Sequence, residues 1–242
     1  MNENEMNPQP QLEPQLVERS GETLSRYTAQ AFLWMALGLL VTFGVSIVGY
    51  VTLLPLYILA INEYALIVLT VLELIVVIVL SAKLHSMPIG AARALFLVYA
   101  LLNGVVFSTY FFIFELSSMV LAFGAAALYF GVMAAVGYFA KVDFSRIRNL
   151  LFGGLIFLVV FGLLSMFIPA LAMFDRIVCL VGIAIFMLYT AYDTQKIKAF
   201  YYGFQGDDAM LAKASIISAL NLYLDFINLF LYLLRFLGKR KN

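Results

Sequence analysis

Three acidic side chains stand inside long apolar stretches of this sequence: Glu73 in Val71-Leu72-Glu73-Leu74, Asp193 at the end of the run that begins near Arg176, and Asp225 at the centre of Ala214 to Phe236. Burying a carboxylate in hydrocarbon costs roughly 2.5 to 3.5 kcal/mol on insertion scales, so each needs a compensating role. Binding or relaying a cation or proton is the chemistry that fits. Asn221, Asp225 and Asn228 are spaced by four and three residues and share one helix face, which cannot point at lipid. Asp193 and Thr194 end the preceding apolar run and can approach that face if the two helices pack together. Asp193 and Asp225 are therefore expected to form a close carboxylate pair toward the cytoplasmic third of a membrane. Two carboxylates in a low dielectric titrate as a unit, which is the behaviour of a pH sensor. A structural polar network tying helices together is the alternative.

Glu73 is open to two readings: it lines the same pathway, or it is protonated at a helix contact. Lys83 and His85 follow it ten and twelve residues later. A cation there could pair with an ionised aspartate and act as a gate; for His85, the single histidine, a plain interfacial position is the competing reading.

These residues must be held by membrane-spanning helices. The chain is 64% apolar and only 12% charged, which no soluble globular domain matches. Runs of about 20 apolar residues, enough to cross roughly 30 Å of hydrocarbon, occur seven times: near Tyr27 to Gly49, Tyr64 to Leu84, Ala92 to Phe114, Met119 to Ala140, Leu150 to Ile168, Arg176 to Asp193 and Ala214 to Phe236. They lack the alternation of a barrel wall. The fold class expected is all-α, a polytopic integral membrane protein with seven transmembrane helices over residues 26–237, between a disordered N-terminal tail (1–25) and a basic C-terminal tail (238–242). The tail, rich in Asn, Gln, Glu and Pro, has neither the apolar core nor the cleavage site of a secretory signal.

Basic residues fall on alternate loops, at Arg19 and Arg26, Lys83 and Arg93, Lys141 to Arg148, and Lys196 to Lys213, which places the N-terminus in the cytoplasm. Arg235, Lys239, Arg240 and Lys241 break that rule if the last segment crosses completely. The other possibility is a re-entrant last segment enclosed by protein; full crossing is the favoured path. The basic residues lie between apolar segments rather than on one face, so no nucleic-acid partner is expected. Small residues at Gly38, Thr42 and Ser46, and at Ala127, Gly131 and Ala135, recur every four positions and are expected to be helix contacts. Tyr201 and Tyr202 are expected at the membrane interface, and Cys179 in plain packing.

The chain resembles the Bax inhibitor-1 family of membrane proteins, with its bacterial members. The matching segments are Tyr27-Thr28-Ala29-Gln30, Leu95 to Gly104, Tyr192-Asp193-Thr194-Gln195 and Leu222 to Phe230. The resemblance implies seven helices with the last one central and surrounded by the other six, a bacterial cytoplasmic membrane, and a pH-sensitive calcium leak. It places the family's paired aspartates on Asp193 and Asp225 and its second-helix acid on Glu73. The closed-state basic partner would be an arginine in relatives; here Lys83 and His85 are nearby, and Lys offers a point charge rather than a fork.

Calcium takes six to eight oxygens, of which Asp193, Asp225, Asn221, Asn228, Thr194 and backbone carbonyls could supply a partial shell suited to conduction. The expected partners are the bilayer, Ca²⁺, protons and a further membrane protein. No cofactor is expected, and with one His and one Cys no transition-metal cluster can be built. Tyr192-Asp193 fits half of an intramembrane aspartyl protease, but Asp225 lacks the Gly-x-Gly that would precede it and Pro169-Ala170-Leu171 comes before both acids, so an enzyme is not the favoured reading. A non-transporting regulator that binds another membrane protein is the other class.

Overall fold

The structure, a computed structural model, describes residues 23–83 and 86–241, the side chain of Leu66 apart. Most of the expected tail and His85 lie outside the described residues. Nine helices are present among them: α1 (Leu24–Val51), α2 (Leu54–Ile61), α3 (Ala65–Lys83), α4 (Ile89–Ser108), α5 (Tyr110–Ile113), α6 (Leu116–Phe139), α7 (Arg148–Phe167), α8 (Asp175–Gly203) and α9 (Asp208–Leu237). Six of the helical segments are long and apolar enough to cross a membrane, and α3 adds a further apolar helix of 19 residues. Short α2, a pair of turns following Leu53 in the left-handed region, had no counterpart in the apolar runs.

Several helices present one narrow buried stripe and an otherwise exposed apolar surface. On α1 the stripe is Tyr27, Ala31, Met35, Gly38, Thr42, Ser46 and Gly49, at spacings of three or four. Its small residues let neighbours approach: a Cβ on Gly38 would come within 2.6 Å of the Phe96 ring. On α6 the expected stripe is wrong. Ala127, Gly131 and Ala135 are exposed, while Met119, Ala122, Ala126, Phe130, Ala134 and Gly137 face the core. The two stripes run side by side on one helix, and spacing alone does not choose between them. The core takes the one that adds Met119 and Phe130 to the small residues.

α9 is the exception, buried nearly all round from Leu211 to Leu234. It is the central helix of the bundle, packed directly on α1, α4, α6 and α8, while α3 packs on α4 and α7 on α8. Tyr223 on α9 and Thr42 on α1 share a hydroxyl hydrogen bond of 2.6 Å, and Thr42 donates onward to the Ala100 carbonyl of α4 at 2.9 Å, which joins three helices at one buried point. Tyr201 is buried against Tyr27, with ring centroids 5.7 Å apart, and only its neighbour Tyr202 is exposed. Cys179 is buried.

The last segment runs without a break for 30 residues, roughly 45 Å at about 1.5 Å per residue. Beyond it, Lys239 O accepts from Glu115 N at 3.0 Å and Lys241 N donates to Ile113 O at 2.9 Å. The chain end is thereby fixed beside the connection into α6, at the opposite end of the bundle from Asp208. A re-entrant path is not what this helix follows, and residues 238–241 are a pinned segment.

Candidate functional site

α8 extends ten residues past Asp193, so this acid lies within the helix and not at its end. The longer helix results from Thr194 to Gly203 continuing the turn after the apolar run stops. Two contacts set how α8 is rotated. Gly137 of α6 lies directly against the backbone of Ala191, where a Cβ would collide with the carbonyl oxygen and Cα. Two residues are about 200° of helix rotation, so Asp193 faces away from α6. Gln195 then anchors the loop before α7, accepting from Phe144 N at 2.9 Å and donating to Val142 O at 2.7 Å. That loop ends in a 3-10 turn, Phe144–Ile147, capped by Asp143. The Ser145 hydrogen bonds hold the Asp143 carboxyl below its ordinary range.

These constraints leave a cavity of about 570 Å³ bounded by α7, α8 and α9, which both aspartates line. Asp193 and Asp225 are 7% and 4% exposed, so both are largely withdrawn from the outer surface of the bundle. Asn221 Nδ2 donates to Asp193 Oδ1 at 3.2 Å. Asp225 follows one turn further along α9, about 6 Å in rise, and its Oδ2 is buried without a hydrogen-bond partner among the described residues. Asn228 completes the face, its Nδ2 donating to Leu224 O at 2.8 Å. In an otherwise buried helix the half-buried positions Ile217, Asn221, Leu224, Asn228 and Leu231 follow a spacing of three and four, and this stripe is the one turned to the cavity.

The remaining expected residues lie elsewhere. Thr194 is fully buried on another face of α8 and lines a separate hollow with Thr28 and Tyr138. Glu73 is buried on α3, one carboxylate oxygen without a hydrogen-bond partner among the described residues, and it does not line the aspartate cavity. Lys83 is exposed at the end of α3. The cations that do line the cavity are Arg148 and Lys196. Neither is joined to the aspartates by an ion pair; the ion pairs among the described residues are Arg146–Asp143 and Arg235–Asp175. Lys196 lies three residues after Asp193, on the same helix face, and this spacing was the signal that could have found it. Tyr189 and Tyr192 furnish phenolic walls.

No group of three or more His, Cys, Asp or Glu side chains gathers among the described residues. The oxygen-bearing side chains at the cavity are therefore two carboxylates, the amides of Asn149, Asn221 and Asn228, and the hydroxyls of Tyr189 and Tyr192. A hard cation such as calcium takes six to eight oxygens of this kind.

Comparison with known proteins gives the same architecture a lineage. The family model "Inhibitor of apoptosis-promoting Bax1" matches residues 24–242. The chain belongs to the Bax inhibitor-1 family. Among similar members, "Inner membrane protein YbhL" of Escherichia coli is 38% identical over 219 residues, covering 90% of this chain and 93% of that one. An uncharacterized protein of Borreliella burgdorferi is 34% identical over 221 residues, 90% and 94% of the two chains. Another, from Rickettsia prowazekii, is 35% identical over 221 residues, 91% and 92%. The family match and the long apolar helices make the chain an integral, multi-pass membrane protein of the Bax inhibitor-1 type.

Proposed function

We propose that this protein is a pH-sensitive leak for calcium, controlled by Asp193 and Asp225. The observation that carries the reading is that one cavity collects both intramembrane aspartates of α8 and α9 together with three amides and two cations. Carboxylates that share a low-dielectric space interact strongly, so protonating one alters the other and the charge offered to a passing cation. Arg148 and Lys196 compete with that cation when the acids are ionised. In this reading they, and not Lys83, are the counter-charges of the closed state. Seven spans, with α3 among them and the N-terminus in the cytoplasm, complete the proposal. The start of α1 shares its end of the bundle with Lys83, Arg93, Lys141, Arg146 and Arg148, an excess of positive charge suited to the cytoplasmic side.

The test is calcium entry into liposomes holding the purified full chain, from about pH 5 to pH 8, a range spanning perturbed carboxylate titrations. Wild type is expected to leak with a sigmoidal pH dependence, and Asp193→Asn and Asp225→Asn each to change both flux and its pH profile. Both variants leaking with the wild-type profile would refute the paired-acid mechanism. Absence of flux at every pH would assign the protein to the non-transporting regulators, which act by binding another membrane protein.

A further inference from the structure

The four basic residues near the C-terminus, Arg235, Lys239, Arg240 and Lys241, lie at the end of the bundle opposite the other basic clusters, and the cavity chemistry makes no use of them. Arg235 is taken by Asp175, with which it forms an ion pair. The other three are exposed and consecutive, and the nearby acid, Glu115, is bonded to Ser117 at 3.3 Å. They are also fixed in place. Besides the two backbone bonds to residues 113 and 115, Lys239 N donates to Ser118 Oγ at 3.0 Å, so this charge is held at one position on the rim.

Directly beneath is a groove of about 860 Å³ between α1 and α6. Its floor is Phe230 of α9, packed edge-on against Phe43 with ring centroids 5.8 Å apart. Its walls include Ile47, Met119 and Val120, and its upper end is closed by Tyr50 and Lys241. Along α1 it extends from Ala36 to Val51, about 22 Å at roughly 1.5 Å per residue. One leaflet of hydrocarbon is about 15 Å deep, half of roughly 30 Å, so the groove runs from the headgroup level past the bilayer midplane. Lys241 Nζ lies 5.4 Å from the centre of the Tyr50 ring and donates to Phe111 O at 2.8 Å, which leaves two of its three N–H groups free. An apolar slot with a cation at its membrane-surface end, beside a tyrosine of the interfacial type, is complementary to a lipid whose head is negative.

We propose that the groove between α1 and α6 binds an anionic glycerophospholipid, one acyl chain lying on Phe230 and the negative head held by Lys241 at the rim that residues 239–241 make basic. The site belongs to the leaflet at the C-terminal end of α9 and is independent of the aspartate cavity on the other side of that helix.

Native mass spectrometry of the full chain in mild detergent tests it, with phosphatidylglycerol and phosphatidylcholine of identical acyl chains added in competition. The expected result is a several-fold excess of phosphatidylglycerol adducts, lost when Lys239→Gln, Arg240→Gln and Lys241→Gln are combined. Val120→Trp, a change at a lipid-facing position that fills the slot, is expected to reduce adducts of both lipids. Equal occupancy by the two headgroups on wild type overturns the proposal without any variant. So does a triple variant that keeps the preference, full binding by Val120→Trp, or a protein dimer without lipid, which would mean that a second copy fills the groove.

Discussion

Asp193 and Asp225 announce themselves in the sequence because an ionisable group among apolar residues is costly and must be accounted for. Arg148 and Lys196 do not. Each stands next to an apolar run, where a basic residue reads as a marker of topology. Their place in the cavity depends on α8 continuing past Asp193 and on Gln195 holding the loop before α7. Lys83 is the reverse case, a cation near Glu73 in sequence whose side chain is exposed and does not line the aspartate cavity. Replacing Lys196 by Met is expected to displace the midpoint of the flux–pH curve, because it removes a charge that acts on the carboxylates through a poorly screened medium. Lys83→Met should leave that midpoint unchanged. The reverse pattern, measured in the same liposome assay, would return the gate to the inner end of α3.

Helix existence followed from apolar length, and the boundaries came within a few residues for most segments. Helix rotation was harder. For α9 the polar spacing of Asn221, Asp225 and Asn228 picked out the cavity face, since polar groups oriented to lipid are penalised. For α6 both candidate stripes consist largely of small apolar residues, and transfer to lipid discriminates little between them. Gly137 and Gly131 provide the test. A Cβ at Gly137 would meet the backbone of Ala191, which has no room to yield, whereas nothing lies within 4 Å at Gly131. Gly137→Ala should therefore destabilise the fold by about 1 to 3 kcal/mol, the usual cost of overpacking, and lower the thermal midpoint in detergent. Gly131→Ala should be neutral or slightly stabilising, because it removes a flexible residue from a helix interior. Equal effects of the two substitutions would put the contact face of α6 back where the sequence spacing suggested.

At the scale of the whole molecule, the central place of α9 explains how the chain tolerates an aspartate in its last helix. A helix packed on four others offers little of its surface to lipid, so its polar stripe can face the cavity beside α7 and α8 and its residues need not follow a lipid-facing pattern. The same placement decides the path of the last segment, which the charge count left ambiguous. The basic residues after Leu237 oppose full crossing by the positive-inside rule, but the rule acts chiefly through the excess carried by earlier loops. The paired backbone at residues 113–115 then fixes where the C-terminus ends. Single cysteines at Ser145 and Lys241, in a Cys179→Ser background, make this measurable in intact cells. A membrane-impermeant thiol reagent added outside is expected to label the cysteine at Lys241 and to reach the one at Ser145 only after the membrane is opened. Labelling of both from one side would mean that α9 does not cross, and the inverted pattern would reverse the orientation while leaving the bundle, its aspartate cavity and the lipid groove as they are.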